Sequence, residues 1–217
     1  MKNSLIKNIG LQNYESTWKL QQELFQAALD AKKNGLKVVN QVLFVEHPPV
    51  FTLGKSGNDS NVLASEESLG AKVFRIERGG DVTFHGPGQL VVYPIIDLED
   101  FNMSLRSYVG NMEQVIINTL EKLGLKGTRS SGASGVWLDV GTHKERKICA
   151  LGVKASRHVT MHGLAFNINT DLTWFQKINP CGFLDKGVTS LAKELGEEQD
   201  FKKVSSIVGI EFEKIFN

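Results

Sequence analysis

Apolar and polar positions recur along this chain with two different periods. Over residues 15–34, Trp18, Leu24, Phe25, Ala28 and Ala31 fall at helical spacing, and Asn34-Gly35 supplies a stop. Residues 104–123 carry the clearest helical pattern. Leu105, Tyr108, Val109, Met112, Val115, Ile116, Leu120 and Leu123 share one face, Ser104 can cap the start, and Gly124 ends it. A short helix is predicted over 171–178 and a last amphipathic one over 201–215. The run QVLFVE from Gln41 to Glu46 has the length of a buried strand and breaks against His47-Pro48-Pro49. Further strands are predicted at 72–77, 90–94, 135–140, 147–153 and 163–169, and the pair at 135–140 and 147–153 forms a hairpin. Helices interspersed among hairpin-paired strands predict an α+β fold with a mainly antiparallel sheet flanked by helices. There is no internal repeat, low-complexity tract or linker, so residues 1–217 read as one domain.

Composition narrows the function classes. Lys and Arg number 25 against 24 Asp and Glu, so the basic excess of a general nucleic-acid binder is missing. The densest basic stretch is His143-Lys144-Glu145-Arg146-Lys147, followed by Lys154, Arg157 and His158. It reads either as a solvated hairpin or as a local docking rim in which Arg146, Lys154 and Arg157 take part. No apolar run reaches membrane-spanning length, and the first residues lack the apolar core of a secretory signal, so a cytoplasmic protein without membrane attachment is expected. The two cysteines, Cys149 and Cys181, make no disulfide framework, and no ligand spacing for a metal is present.

Three stretches can carry chemistry. Arg78-Gly79-Gly80-Asp81-Val82-Thr83-Phe84-His85-Gly86-Pro87-Gly88-Gln89 lets backbone approach a ligand closely and can present N–H groups to an oxyanion. It lacks the endings of a phosphate loop and of a dinucleotide fingerprint. From spacing alone it reads equally as a glycine-rich connection between strands. Asn179-Pro180-Cys181-Gly182 can hold a thiol on a stiff turn, although a lone cysteine is more often a small buried apolar residue. Lys147-Ile148-Cys149-Ala150-Leu151-Gly152-Val153 opens an apolar strand with a lysine, which marks either a solvated strand end or an ammonium turned into a pocket.

In this order the three stretches, with His47-Pro48-Pro49-Val50-Phe51-Thr52-Leu53-Gly54, Gly135-Val136-Trp137 and His162-Gly163-Leu164-Ala165-Phe166-Asn167, resemble the lipoyl(octanoyl) transferases of lipoate biosynthesis. The match runs from about residue 41 to 183, and its most specific element is the loop from Arg78 to Gln89. One departure is Ser134, where the family carries proline before Gly-Val-Trp; the loop 142–146 is not recognised as a family feature either.

The resemblance implies the biotin/lipoate-protein ligase-like fold. It implies an acyltransferase that moves octanoyl from octanoyl-acyl carrier protein to a lysine of lipoyl domains, those of 2-oxoacid dehydrogenases and the glycine cleavage H protein. It further implies Cys181 as the nucleophile that carries the thioester and Lys147 as the residue that lowers its pKa. The substrate site would comprise Arg78, Gly79, Gly80, Asp81, Val82, Thr83, Phe84 and His85, then Ala150, Leu151 and Gly152, then Gly163, Leu164 and Ala165. His85 would order its loop, the proton role falling to the lysine. No cofactor is implied, since a thioester is already activated and needs no ATP.

Lys147 and Lys154 are seven positions apart, which in a regular strand puts them on opposite faces. Lys147 has the family's spacing to Cys181. Rival readings are a lipoate- or biotin-protein ligase, whose adenylate-binding loop signatures are missing here, a cysteine thioesterase using His85, His158 or His162 as base, and a non-catalytic acyl-binding module.

Overall fold

The computed structural model of the protein describes residues 5–63, 66–179 and 186–216. Cys181 and Pro180 lie outside the described residues. In chain order the elements are β1 (Ile6–Leu11), α1 (Tyr14–Lys33), β2 (Gln41–Glu46), β3 (Val50–Leu53), α2 (Glu66–Leu69), β4 (Lys72–Arg75), β5 (Val82–His85) and β6 (Gln89–Ile95). They continue with α3 (Leu105–Lys122), β7 (Thr128–Ser130), β8 (Ala133–Leu138), β9 (Arg146–Ser156), β10 (Val159–Asn167), β11 (Gly187–Val188), α4 (Leu191–Leu195) and α5 (Phe201–Ile215). Residues 171–178, expected as a helix, form a 3-10 turn at Leu172–Lys177.

The main sheet runs β1-β2-β6-β10-β9-β8-β7, with β11 against β9. Its pairs are antiparallel except β1 with β2 and β11 with β9. A second sheet, β4-β3-β5, pairs β3 parallel to β4 and antiparallel to β5. Of these, β4 falls within the strand expected at 72–77, whereas β3 and β5 were not expected. Val50–Leu53 follows two prolines, and Val82–His85 lies inside the stretch read as a glycine-rich connection.

Strand side chains alternate, so each sheet face buries a different set of partners. One face of the main sheet packs Leu164, Phe166 and Cys149 against Met112 and Val115 of α3 and Val208 and Phe212 of α5. The other packs Val91, Tyr93, Met161 and Ala165 against Phe25 and Ala28 of α1. Asn13 caps α1 through its side chain, and Ser104 caps α3, as expected, by accepting from the N–H of Ser107. The buried stripe of α1 also includes the polar Thr17 and Gln21. Each has an internal bond: Thr17 donates to Asn13 O, and Gln21 Oε1 accepts from His162 N–H. The second sheet sits on the α1 side, where Tyr14 packs with Val50 and Ile76. A cleft is left between the two sheets. Among the described residues no helix is long and apolar enough to cross a membrane.

Candidate active site

The cleft is a cavity of about 470 Å³, within the usual range for small-molecule sites. The main sheet supplies its floor, and the register orders that floor in rows. Gly152 pairs with Gly163 and Ala150 with Ala165, while Val91 of β6 lies beside Ala165. Toward one end come Lys147, Asn167 and Gln89. The roof comes from Ile76, from Arg78 to Thr83 and from His85. Small residues on the floor leave the sheet backbone accessible, so an extended apolar chain can lie along the strands. Among the residues expected to hold substrate, Arg78, Gly79, Gly80, Asp81, Val82, Thr83, His85, Ala150, Leu151, Gly152, Gly163, Leu164 and Ala165 line this one cavity.

Phe84 is placed elsewhere. Alternation along β5 turns it away from the side of Thr83 and His85. Its ring stacks on Trp174 at 5.1 Å and meets Phe51 and Phe175. Tyr14, Gln89, Tyr93, Asn167 and Val188 also line the cavity. Sequence reasoning did not single out Tyr14, Tyr93 or Val188. Tyr93 lies in a continuous apolar strand, and Tyr14 precedes the helical pattern that was recognised.

Close backbone approach shapes the roof. The N–H of Gly79 donates to Val153 O at 3.0 Å, which pins the loop to β9. A Cβ on Gly152 would lie 2.7 Å from Gly79 O, and one on Gly54 would lie 2.3 Å from Gly80 O. Neither contact is sterically possible, so glycine at these positions is what lets the loop seat.

A buried polar chain holds the roof to the floor. Arg78 Nη2 donates to Thr52 O at 2.8 Å and to Thr52 Oγ1 at 3.0 Å. Thr52 Oγ1 is 3.3 Å from His85 Nε2. His85 Nδ1 lies 2.8 Å from Gln89 Oε1, which can only accept, so the proton sits on Nδ1 and Nε2 accepts from Thr52. Gln89 Nε2 donates to Phe84 O and to Asn167 Oδ1, and Asn167 Nδ2 donates to Thr189 O. Burial, and after it the neighbouring His47 and Arg78, push His85 down to about 3, so the ring is neutral. With both ring nitrogens engaged, His85 has no free site for a proton from substrate. That suits the ordering role expected of it.

Cys149 is buried in the core beside α3, and burial pushes its thiol well above the ordinary range. It is therefore inert.

Lys147 and Lys154 do not obey the parity expected of a regular strand. Val136 pairs with Cys149 but Trp137 pairs with Lys147, leaving Ile148 as an extra residue. This β-bulge buries Ile148 and Cys149 toward the same core. Lys147 is thereby returned to the face of Ala150 and Gly152, which is also the face of Lys154. Position along the strand separates the two lysines instead. Lys147 lines the cavity, with its Nζ 4.5 Å from the Trp137 ring centroid. Lys154 lies beyond the other end, pairs with Glu77 and sits over the Phe25 ring. The rim read in the sequence is also largely neutralised, since Arg146 is paired with Glu194 and Asp139.

Comparisons with known proteins agree with this geometry. The family model of the lipoyl protein ligase A/B catalytic domain matches residues 13–213. An octanoyltransferase of Parabacteroides distasonis is 52% identical over 213 residues, covering 96% of both chains. One of Porphyromonas gingivalis is 52% identical over 214 residues, covering 97% of this chain and 44% of that protein, so this chain spans under half of that relative. Among solved structures, a bipartite lipoate protein ligase of Thermoplasma acidophilum superposes with a TM-score of 0.69 at 15% identity, covering 97% of this chain and 82% of that one. A biotin protein ligase of Aquifex aeolicus gives 0.51 at 12% identity, over 97% and 68%. The structural likenesses establish the biotin/lipoate-protein ligase-like fold, and the sequence matches establish that the chain belongs to the lipoyl protein ligase A/B catalytic domain family, among its octanoyltransferases.

Proposed function

We propose that the chain moves an octanoyl group from octanoyl-acyl carrier protein to a lysine of a lipoyl domain through a thioester on Cys181. The observation that supports this best is the division of the cavity. One end is polar and holds Lys147, while the rest is a floor of Ala150, Ala165, Gly152 and Gly163 that fits an unbranched apolar chain. Of the two cysteines, Cys149 is buried and inert, which leaves Cys181 for the covalent role.

In the first step the Cys181 thiolate attacks the thioester carbonyl. The tetrahedral oxyanion collapses, and the carrier thiolate departs with a proton from the Lys147 ammonium. In the second step the lysine amine of the lipoyl domain attacks the acyl-enzyme. Lys147, now neutral, takes a proton from that amine as the amide forms, and Cys181 leaves as thiolate. Both steps start from a thioester, so no ATP is consumed. The partner lipoyl domains are those of 2-oxoacid dehydrogenases and the glycine cleavage H protein.

A thioesterase reading is disfavoured by its bases. His85 has both ring nitrogens engaged, His158 lies out on the surface beside Glu99, and His162 lines the end of the cavity away from Lys147. The test is to incubate the enzyme with octanoyl-acyl carrier protein and an unmodified lipoyl domain without ATP. The domain should gain an octanoyl group that resists hydroxylamine, as an amide does. Modification only from free octanoate with ATP would overturn the proposal in favour of a ligase.

A further inference from the structure

The register gives the cavity an axis. Its lining begins at Gln89 on β6, Asn167 on β10, Lys147 on β9 and Val188 on β11. It ends at Tyr93 on β6, at His162 and Gly163 on β10, and at Gly152 and Val153 on β9. His162 pairs with Val153, and the next pair, Met161 with Lys154, no longer lines the cavity. From Asn167 to Gly163 is four residues, or about 13 Å at the rise of a strand. That is the scale of an extended octanoyl thioester. With Lys147 at the reacting end, the methyl end of the chain points toward His162.

His162 is in an unusual conformation there. Strict alternation would turn it with Leu164 and Phe166 toward α3, whose core holds both of them. Instead its φ is +63°, a left-handed value that costs a non-glycine residue energy and persists only where the surroundings hold it. Its N–H is taken by Gln21 Oε1 from α1 at 3.2 Å. The kink presses Gly163 against β6, where a Cβ would lie 2.0 Å from Val92 O. Its result is that the ring lies on the cavity side, among Arg78, Lys154 and Glu77. Only 2% of the residue is exposed. Among the described residues the ring makes no hydrogen bond, so no such bond explains its turn. Burial, then the Arg78 and Lys154 charges, hold it neutral, with the pKa near 3, which makes it compatible with an apolar chain end. Opposite it, the Arg78-Gly79 backbone is seated on β9 at Gly152 and Val153.

We propose that His162, turned into the cavity by its left-handed backbone, is the end stop that sets the acyl chain length, with the Arg78-Gly79 loop over Gly152 closing the same end. This inference rests on the octanoyl-transfer reading and adds to it the direction of the chain and the residue that limits it.

The test compares kcat/KM for hexanoyl-, octanoyl-, decanoyl- and dodecanoyl-acyl carrier protein with a fixed lipoyl domain. His162→Gly is the main variant, because glycine adopts the native φ without strain. It should raise the decanoyl-to-octanoyl ratio by roughly tenfold, the gain from burying two further methylenes. His162→Asn, which also tolerates this conformation, should shift the ratio in the same direction by less. Ratios within about twofold of the unmodified enzyme in either folded histidine variant would overturn the inference, since so small a shift is less than one buried methylene. The unmodified enzyme is the control that keeps the two claims apart. If it transfers no octanoyl, the function is wrong; if it transfers octanoyl while the ratios stay fixed, only the end stop is wrong.

Discussion

Gln89 joins the roof of the cavity to its floor, and replacing it by leucine tests whether that junction stabilises the fold. The side chain is 1% exposed. It accepts from His85 Nδ1 at 2.8 Å and donates to Asn167 Oδ1 at 2.8 Å and Phe84 O at 3.1 Å. Leucine of nearly the same shape leaves one donor and two acceptors buried without these partners. Each orphaned group costs about 1–3 kcal/mol. Because the groups share one network, the losses do not simply add, and a total of about 3–5 kcal/mol is expected. For a chain of this size that corresponds to a fall in Tm of roughly 6–20 °C. Equilibrium urea unfolding followed by circular dichroism gives the free energy, with the slope m checked for constancy. Loss of less than about 0.5 kcal/mol, within the range of an ordinary surface change, would refute the view that this network holds the site together.

Other predictions follow from single residues. His47, His85 and His162 are buried with pKa values lowered to about 4, 3 and 3. The unfolded chain binds their protons first, so stability is full above about pH 6.5 and falls as pH drops toward those values, by about 1.4 kcal/mol per unit for each histidine. Thermal melts from pH 7 to 4 should show this slope, and a flat profile would contradict it. Gly135→Ala puts a methyl 2.3 Å from Cys149 O at a φ of +122°, so a loss of roughly 3 kcal/mol or more is expected in urea unfolding. Cys149→Ala should cost about 1 kcal/mol and keep octanoyl transfer. Lys147→Ala should nearly abolish transfer and move Cys181 alkylation to higher pH, whereas Lys154→Ala should retain most turnover. The reverse pattern would reassign the assisting lysine.

How far the sequence was legible depended on the scale of each element. The long helices announce themselves through their apolar faces, and β2 from Gln41 to Glu46 appears where its apolar run lies. β3 and β5 are four residues each, too short for a period, and proline and glycine flank them. β9 and β10 start earlier than expected, and β1, four of whose six residues are exposed, gave no clear alternation. Gly79 and Gly80 were read in the sequence as places of close approach, but what approaches them is a tertiary fact. The bulge at Ile148 shows the limit of counting positions: one unpaired residue reverses the faces of everything beyond it. For the same reason the kink at His162 and the neutralisation of Arg146 by Glu194 could not be read from local pattern.

The central claim is the covalent intermediate, and the most direct measurement is intact mass spectrometry of the enzyme after brief mixing with octanoyl-acyl carrier protein, without ATP and without a lipoyl domain. One octanoyl adduct, removable by hydroxylamine and mapping to Cys181, is expected. It should form equally in Cys149→Ala and disappear in Cys181→Ser together with transfer. Full transfer by Cys181→Ser, or an adduct on any other residue that turns over at the catalytic rate, would contradict it.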